Sequence, residues 1–111
     1  MLNCCKVNAR ARGNEFTITR QDLIEAWEEQ EGVCAYTGWD MTLAAAKFNS
    51  VSVERIDSSI GYTPDNTILV CRDVNRMKSN FSGELFFEMC AAITSHLGDE
   101  NGNLAVEFNK N

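Results

Sequence analysis

Histidine and proline are nearly absent from this chain of 111 residues: His96 and Pro64 are the single examples of each. One imidazole leaves little room for histidine-based acid–base or metal chemistry. His96 falls near the end of a helical stretch, where it reads as a surface or partly packed residue rather than as a base. No apolar run approaches the roughly 20 residues that span a bilayer, and the opening "MLNCCKVNARARG" lacks the apolar core of a signal peptide. The expectation is a cytoplasmic protein with no membrane partner, whose five cysteines are reduced thiols. Their odd number argues against a closed disulfide framework. Internal repeats, low-complexity tracts and linkers are missing too. A chain of this length leaves neither half enough interior to be stable alone, so a single domain over residues 1–111 is expected.

A positive balance is also lacking. The net charge of −6 argues at first sight against nucleic acid, but the charge is unevenly spread. Asp22, Glu25, Glu28, Glu29 and Glu31 share one segment without a basic residue, while Lys6, Arg10, Arg12 and Arg20 face Glu15 alone near the start. Arg72, Arg76 and Lys78 outnumber Asp73 within residues 71–80. DNA responds to the face it meets, so an acidic far side is compatible with a basic near side.

What is present has a readable order. "NCCKVNARAR" has the pattern of a short basic helix closed by Gly13. "EFTIT" alternates and is β-branched, hence extended. Thr19 with Asp22 resembles a capping box that opens a helix over 20–31, with Leu23, Ile24 and Trp27 as its apolar face and Gly32 as its stop. "GVCAYTGWDM" reads as a tight turn. "SVSVERI" predicts a half-buried strand, "GYTPDN" a turn, "TILV" a second strand, and "CRDVNRMK" a helix. Ser82 is placed to cap a last helix whose Phe86, Cys90, Ile93 and Leu97 recur on one face, with Gly98 ending it. "LAVEF" predicts a short terminal strand.

Strand, turn, strand and helix over residues 51–80 carry a resemblance. "ERID" is similar to the Asp-His-Ile-Asp that ends the first strand of the His-Asn-His (HNH) endonucleases. "GYTPDN" resembles the turn bearing their central asparagine, here Asn66. "NTILVCRDVNRMK" resembles their second strand and the helix with the last Asn or His, here Asn75, followed by Lys78. "CAYTG" resembles their first cysteine knuckle. With "ARARGNEFTIT" included, residues 9–80 look like small phage-encoded members. The resemblance implies an α+β fold with a ββα-metal core at about 51–80 and flanking N- and C-terminal helices. It also implies divalent-metal-dependent hydrolysis of DNA, in a bacterial host cell if the chain is phage-encoded. Hydrolysis of a phosphodiester calls for a cation to offset phosphate charge and a base to activate water. Hard Mg²⁺ or Mn²⁺ favours carboxylate and amide oxygens, which Glu54 and Asn75 offer. Asn66 then braces the loop between the strands. Arg72, Arg76 and Lys78 contact phosphates in a largely sequence-independent way.

Two departures accompany the likeness. Arg55 stands where the family keeps its water-activating histidine, and a guanidinium stays protonated. Three arrangements answer this. Asp57, two residues along the strand and so on the same face, serves as base or extra ligand while Arg55 clamps a phosphate. Alternatively a tyrosine, with Tyr62 nearest, or a metal-bound hydroxide does the work. In the third, hydrolysis is lost and only binding survives. The knuckles, moreover, read Cys34-x-x-Thr37 and Cys71-x-x-Val74, each without its second cysteine. Structural zinc takes four N or S ligands, and the spacing of Cys4, Cys5 and Cys90 does not supply them, so zinc is not expected. Cys34 and Cys71 are expected to pack together as small apolar groups, with Trp39, Phe48, Phe81, Phe86 and Phe87 forming the core.

One such site cuts one strand, so a monomer nicks and a double-strand break requires a homodimer. The rival class is a catalytically inactive DNA- or protein-binding accessory or inhibitor that uses the acidic helix 20–31. A cation between Glu54 and Asn75 favours the enzyme. An ion pair of Glu54 with Arg55 or Lys78 filling the site favours the rival.

Overall fold

The computed structural model describes residues 15–107. Among these, the elements run α1 (Arg20–Glu29), β1 (Val51–Arg55), a 3-10 turn (Pro64–Asn66), β2 (Thr67–Cys71), α2 (Arg72–Lys78) and α3 (Gly83–Leu97). The class is α+β, built on a two-stranded sheet. The proposed basic helix over 3–12 lies outside the described residues. The chain divides into two compact units, with the division between Asn80 and Phe81.

Helix α1 starts where Thr19 and Asp22 cap each other. The Thr19 hydroxyl accepts the Asp22 N–H at 3.2 Å and the Asp22 carboxylate accepts the Thr19 N–H at 2.8 Å, an arrangement worth about 1 kcal/mol. The helix ends at Glu29, short of residue 31, because Glu31 and Gly32 both take positive φ, 55° and 70°, and turn the chain back. Its buried stripe is Leu23 with Ala26 and Trp27. Ile24 is exposed, since adjacent residues on a helix point about 100° apart. Gln30 then reaches the sheet: its side chain donates to the Leu69 carbonyl at 2.8 Å and accepts the Leu69 N–H at 3.0 Å. One amide thereby acts as a surrogate strand on the outer edge of β2.

The strands pair antiparallel, with Val53 opposite Leu69 and Glu54 opposite Ile68. Ser52 and Glu54 point to one face, and α2 covers that face through Asn75, whose amide nitrogen bonds the Ser52 hydroxyl at 2.7 Å. Val53 and Leu69, on the other face, belong to a core that also holds Ile18, Leu23, Cys34, Met41 and Cys71. Both faces of the strand end are thus covered, and Val53, Glu54 and Arg55 are all buried. The half-buried alternation expected of this strand is therefore not found at its end.

The segment before α1 is fixed by the loop between the strands. Tyr62 N–H donates to the Glu15 carbonyl at 2.9 Å, and the Tyr62 carbonyl accepts the N–H of Thr17 at 2.9 Å. This approach requires Gly61, because a Cβ there would lie 1.9 Å from the Glu15 oxygen. Gly61→Ala is expected to cost about 2 kcal/mol, at the scale of overpacked sites, read as a lower urea midpoint. An unchanged midpoint would mean that the 15–18 segment does not pack there.

Most of the aromatic residues assigned to the core lie elsewhere. Trp39 and Phe48 are each 57% exposed, Phe87 is 75% exposed and Phe81 is 44% exposed. Trp39 and Phe48 sit on loops and pack edge-to-face on each other, with ring centroids 6.2 Å apart. Buried Tyr62, with partly buried Phe16 and Trp27, takes the interior role instead.

In the second unit, the Ser82 hydroxyl caps α3 by accepting the Leu85 N–H at 3.2 Å, and Gly98 ends the helix. Phe86 is its buried residue, Cys90 is half-buried, Ile93 is exposed, and His96 is exposed too. The terminal strand over 104–108 is not formed among the described residues. Leu104 makes an isolated bridge to Gly98.

Candidate active site

The end of β1, the loop after it and the second half of α2 enclose an open cleft of about 390 Å³. Glu54, Arg55, Tyr62, Asn75, Arg76 and Ser79 line it. Glu54 and Asn75 therefore converge on one space, from facing elements.

Glu54 is 5% exposed. Its Oε1 accepts the Arg55 backbone N–H at 2.7 Å, and its Oε2 lies 3.6 Å from the Lys78 ammonium. Neither Oε2 nor the Lys78 nitrogen has a hydrogen-bond partner among the described residues. Burial pushes the Glu54 carboxyl up from its ordinary range, against the opposing pull of Lys78 and the Arg55 amide. Asn75 spends its Nδ2 on the Ser52 hydroxyl and, at 3.3 Å, the Val53 carbonyl. Oδ1 is then its remaining donor oxygen for a cation.

Arg55 is buried, with its guanidinium 5.4 Å from the Tyr62 ring centroid and Nη1 donating to the Ile60 carbonyl at 3.3 Å. A stacked, partly bonded guanidinium is pre-oriented for a phosphate.

Asp57 is placed differently from the expectation. The strand stops at Arg55, so the two-residue alternation that put Asp57 on the same face does not extend to it. Its Oδ1 instead accepts both the N–H and the hydroxyl of Ser59, at 2.9 and 2.6 Å. Those bonds hold its pKa below the ordinary value. Asp57 is not among the cleft-lining side chains. Asn66, buried, spans the loop: it accepts the Asp57 N–H at 2.9 Å and donates to the carbonyls of Asp57 and Gly61, each at 3.0 Å.

The basic trio also separates. Arg76 lines the cleft and is exposed, Arg72 lies at the start of α2, and both lean on Asp73, at 3.8 and 3.1 Å. Surface pairs of this kind are weak and leave both guanidinium groups free to rearrange. Lys78 is wholly buried, so the expectation of a phosphate contact there is corrected: its ammonium turns inward to Glu54.

Cys34 and Cys71 are free, buried and adjacent, with the Cys71 N–H donating to the Cys34 sulfur at 3.3 Å. Burial raises the Cys71 pKa. In Cys34 the effect of burial is outweighed by hydrogen bonds from Thr37 and Cys71, and its pKa falls. Tyr36, which motif order did not single out, lies within electrostatic range of Glu54. Burial, then Glu54 and Cys34, push its phenol up to about 12, so it is neutral at physiological pH.

Among the described residues, no group of three or more His, Cys, Asp or Glu side chains can hold a metal ion. The donor set in the cleft is one carboxylate and one amide oxygen, both hard. That chemistry fits a Mg²⁺-like ion, which is commonly held by one or two carboxylates and completes its shell with water and substrate phosphate. The Glu54 Oε2, which has no hydrogen-bond partner among the described residues although it faces the Lys78 ammonium at 3.6 Å, fits the same role.

No family model matches the chain. Over 87 residues it is 29% identical to the uncharacterized protein R423 of Acanthamoeba polyphaga mimivirus, across 77% of this chain and 14% of the viral protein. It thus spans a small part of that relative's length. In structure it is similar to the rare-cutting HNH restriction endonuclease PacI, with a TM-score of 0.61 and 25% identity, over 86% of this chain and 75% of the other. The α+β fold, with its helices and two-stranded sheet, is HNH-like.

Proposed function

We propose that this protein is a divalent-metal-dependent DNA endonuclease. The observation that carries the reading is the convergence of Glu54 and Asn75 on one polar cleft in an HNH-like fold. Glu54 and the Asn75 carbonyl oxygen hold Mg²⁺ or Mn²⁺. When bound, the cation offsets the charge that builds on the scissile phosphate. Arg55 orients that phosphate, and Arg76 grips the backbone beside it. Asp57 is tied to Ser59, and the Arg55 guanidinium offers donors but no acceptor for a proton. Tyr62 lines the cleft with its ring against Arg55, and we assign it to orient the attacking water, whose proton passes to solvent. Two protein donors make a weak site on their own, so tight metal binding requires DNA.

One observation favours the second reading, a non-catalytic DNA- or protein-binding accessory or inhibitor. The Lys78 ammonium 3.6 Å from Glu54 already places positive charge beside the carboxylate. Incubation of supercoiled plasmid with the protein and Mn²⁺ separates the two. The enzyme gives nicked circles, and Asn75→Ala lowers the rate by about 100-fold, the scale of a lost metal or oxyanion contact. Plasmid that is bound but stays supercoiled at every Mn²⁺ and Mg²⁺ concentration supports the accessory protein. Cleavage undiminished in Asn75→Ala removes Asn75 from the site.

A further inference from the structure

Lys78 closes α2, one turn after Asn75, so both side chains reach the same face of β1. Asn75 bonds Ser52 and Val53, and Lys78 meets Glu54, which shares the Ser52 face. The carboxylate is held at both ends: by the Arg55 N–H at Oε1, 2.7 Å, and by the ammonium at Oε2, 3.6 Å. Lys78 is 0% exposed, which removes its charge from any phosphate on the surface. The next residue records how firmly this is imposed. Ser79 takes φ 53°, ψ −128°, a region that L-residues rarely adopt and that persists where surrounding structure over-determines it. It still donates its N–H to the Asn75 carbonyl at 3.1 Å. The helix thus ends under strain with Lys78 pointing in.

We infer that Lys78 is a positioning residue for Glu54 and not a DNA contact: its ammonium fixes the buried carboxylate in the orientation that faces the cleft. The catalytic consequence rests on the nuclease reading, whereas the absence of DNA contact does not.

Three measurements on the full chain test it. Binding to a fluorescent duplex is followed as a function of salt for wild type, Lys78→Met and Arg76→Ala. Arg76→Ala is expected to flatten the salt slope by about one unit, as loss of a phosphate contact does, and Lys78→Met to leave it unchanged. Urea midpoints of Lys78→Met, Glu54→Gln and the double variant are expected to be non-additive, the double variant recovering most of the loss from Lys78→Met. In plasmid cleavage with Mn²⁺, Lys78→Met is expected to lower kcat by about tenfold or more, as outer-shell partners of metal ligands do, with KM little changed. Lys78→Arg is expected to restore part of that loss. A salt slope reduced in Lys78→Met, or additive midpoints, overturns the inference. If Lys78→Met does not fold, the double variant and Lys78→Arg carry the slope comparison. A wild type that never cuts defeats the nuclease reading, while slope and midpoints still decide whether Lys78 serves Glu54 or DNA.

Discussion

Glu54→Ala is expected to abolish plasmid cleavage and to destabilise the fold by about 3–5 kcal/mol, the cost of leaving one partner of a buried ion pair alone. The Lys78 nitrogen is completely buried and has no hydrogen-bond partner among the described residues, so the Glu54 carboxylate 3.6 Å away is its main compensation. Small domains hold only about 5–15 kcal/mol in total, and a loss of this size brings the variant close to unfolding at ordinary temperatures. Glu54→Gln is the gentler change, since a carbonyl oxygen still accepts the Arg55 N–H. It is expected to lose cleavage by about 100-fold or more, on the scale of a removed charge-stabilising contact, while keeping a cooperative urea transition. Urea melts and nicking assays on both variants check this. A Glu54→Ala protein as stable as wild type would show that Lys78 finds its compensation elsewhere. One that cuts at the wild-type rate would remove Glu54 from the chemistry.

How much of this was visible in the chain alone follows from the range over which each signal acts. The Thr19–Asp22 cap, the turn at Pro64–Asn66 and the Ser82 cap are local: three or four residues specify the bonds they make, and their places agree with the structure. The order strand, turn, strand, helix over 51–78 was equally readable, because strands and helix have different hydrophobic periods. What failed was inference from local pattern to a distant environment. Asp57 looked co-facial with Arg55 on the assumption that β1 ran two residues further than it does. Lys78 looked like a surface cation because it ends a helix among arginines. Its burial depends on β1, more than twenty residues earlier, presenting a carboxylate to the same spot. Trp39 and Phe48 read as an apolar replacement for a metal-organised core, yet the buried core among the described residues holds Cys34, Met41 and Cys71 in their stead. Gln30 could not have been foreseen as the edge partner of Leu69, since nothing in a glutamine after a helix specifies a bond 39 residues away.

Asn66→Ala is expected to cost about 3 kcal/mol. Three bonds disappear, from the Asp57 N–H and to the carbonyls of Asp57 and Gly61, the last buried and the other two partly buried, at about 1 kcal/mol each when a partner is removed. For a domain of this size that corresponds to a fall in Tm of roughly 10–20 °C. Cleavage should fall with it, because the same loop supplies the Ile60 carbonyl that holds Arg55 and the Tyr62 ring beneath its guanidinium. Asn66→Asp isolates the part of the effect due to hydrogen-bond polarity. It matches the side chain in shape and keeps an acceptor for the Asp57 N–H, but turns an ionised oxygen toward two carbonyls that were receiving a donor. At neutral pH it is expected to be at least as destabilising as Asn66→Ala. Protonation returns a donor, so the folded state binds that proton more tightly than the unfolded chain and the introduced carboxyl has a raised pKa. Its favourable contribution is then present below the unfolded value of about 3.9 and is lost as pH rises through the folded one. Relative to wild type, Asn66→Asp should therefore regain stability as the solution is acidified, whereas Asn66→Ala should show no such recovery. Parallel pH profiles for the two variants would mean that the loop is held by shape and not by the direction of these hydrogen bonds.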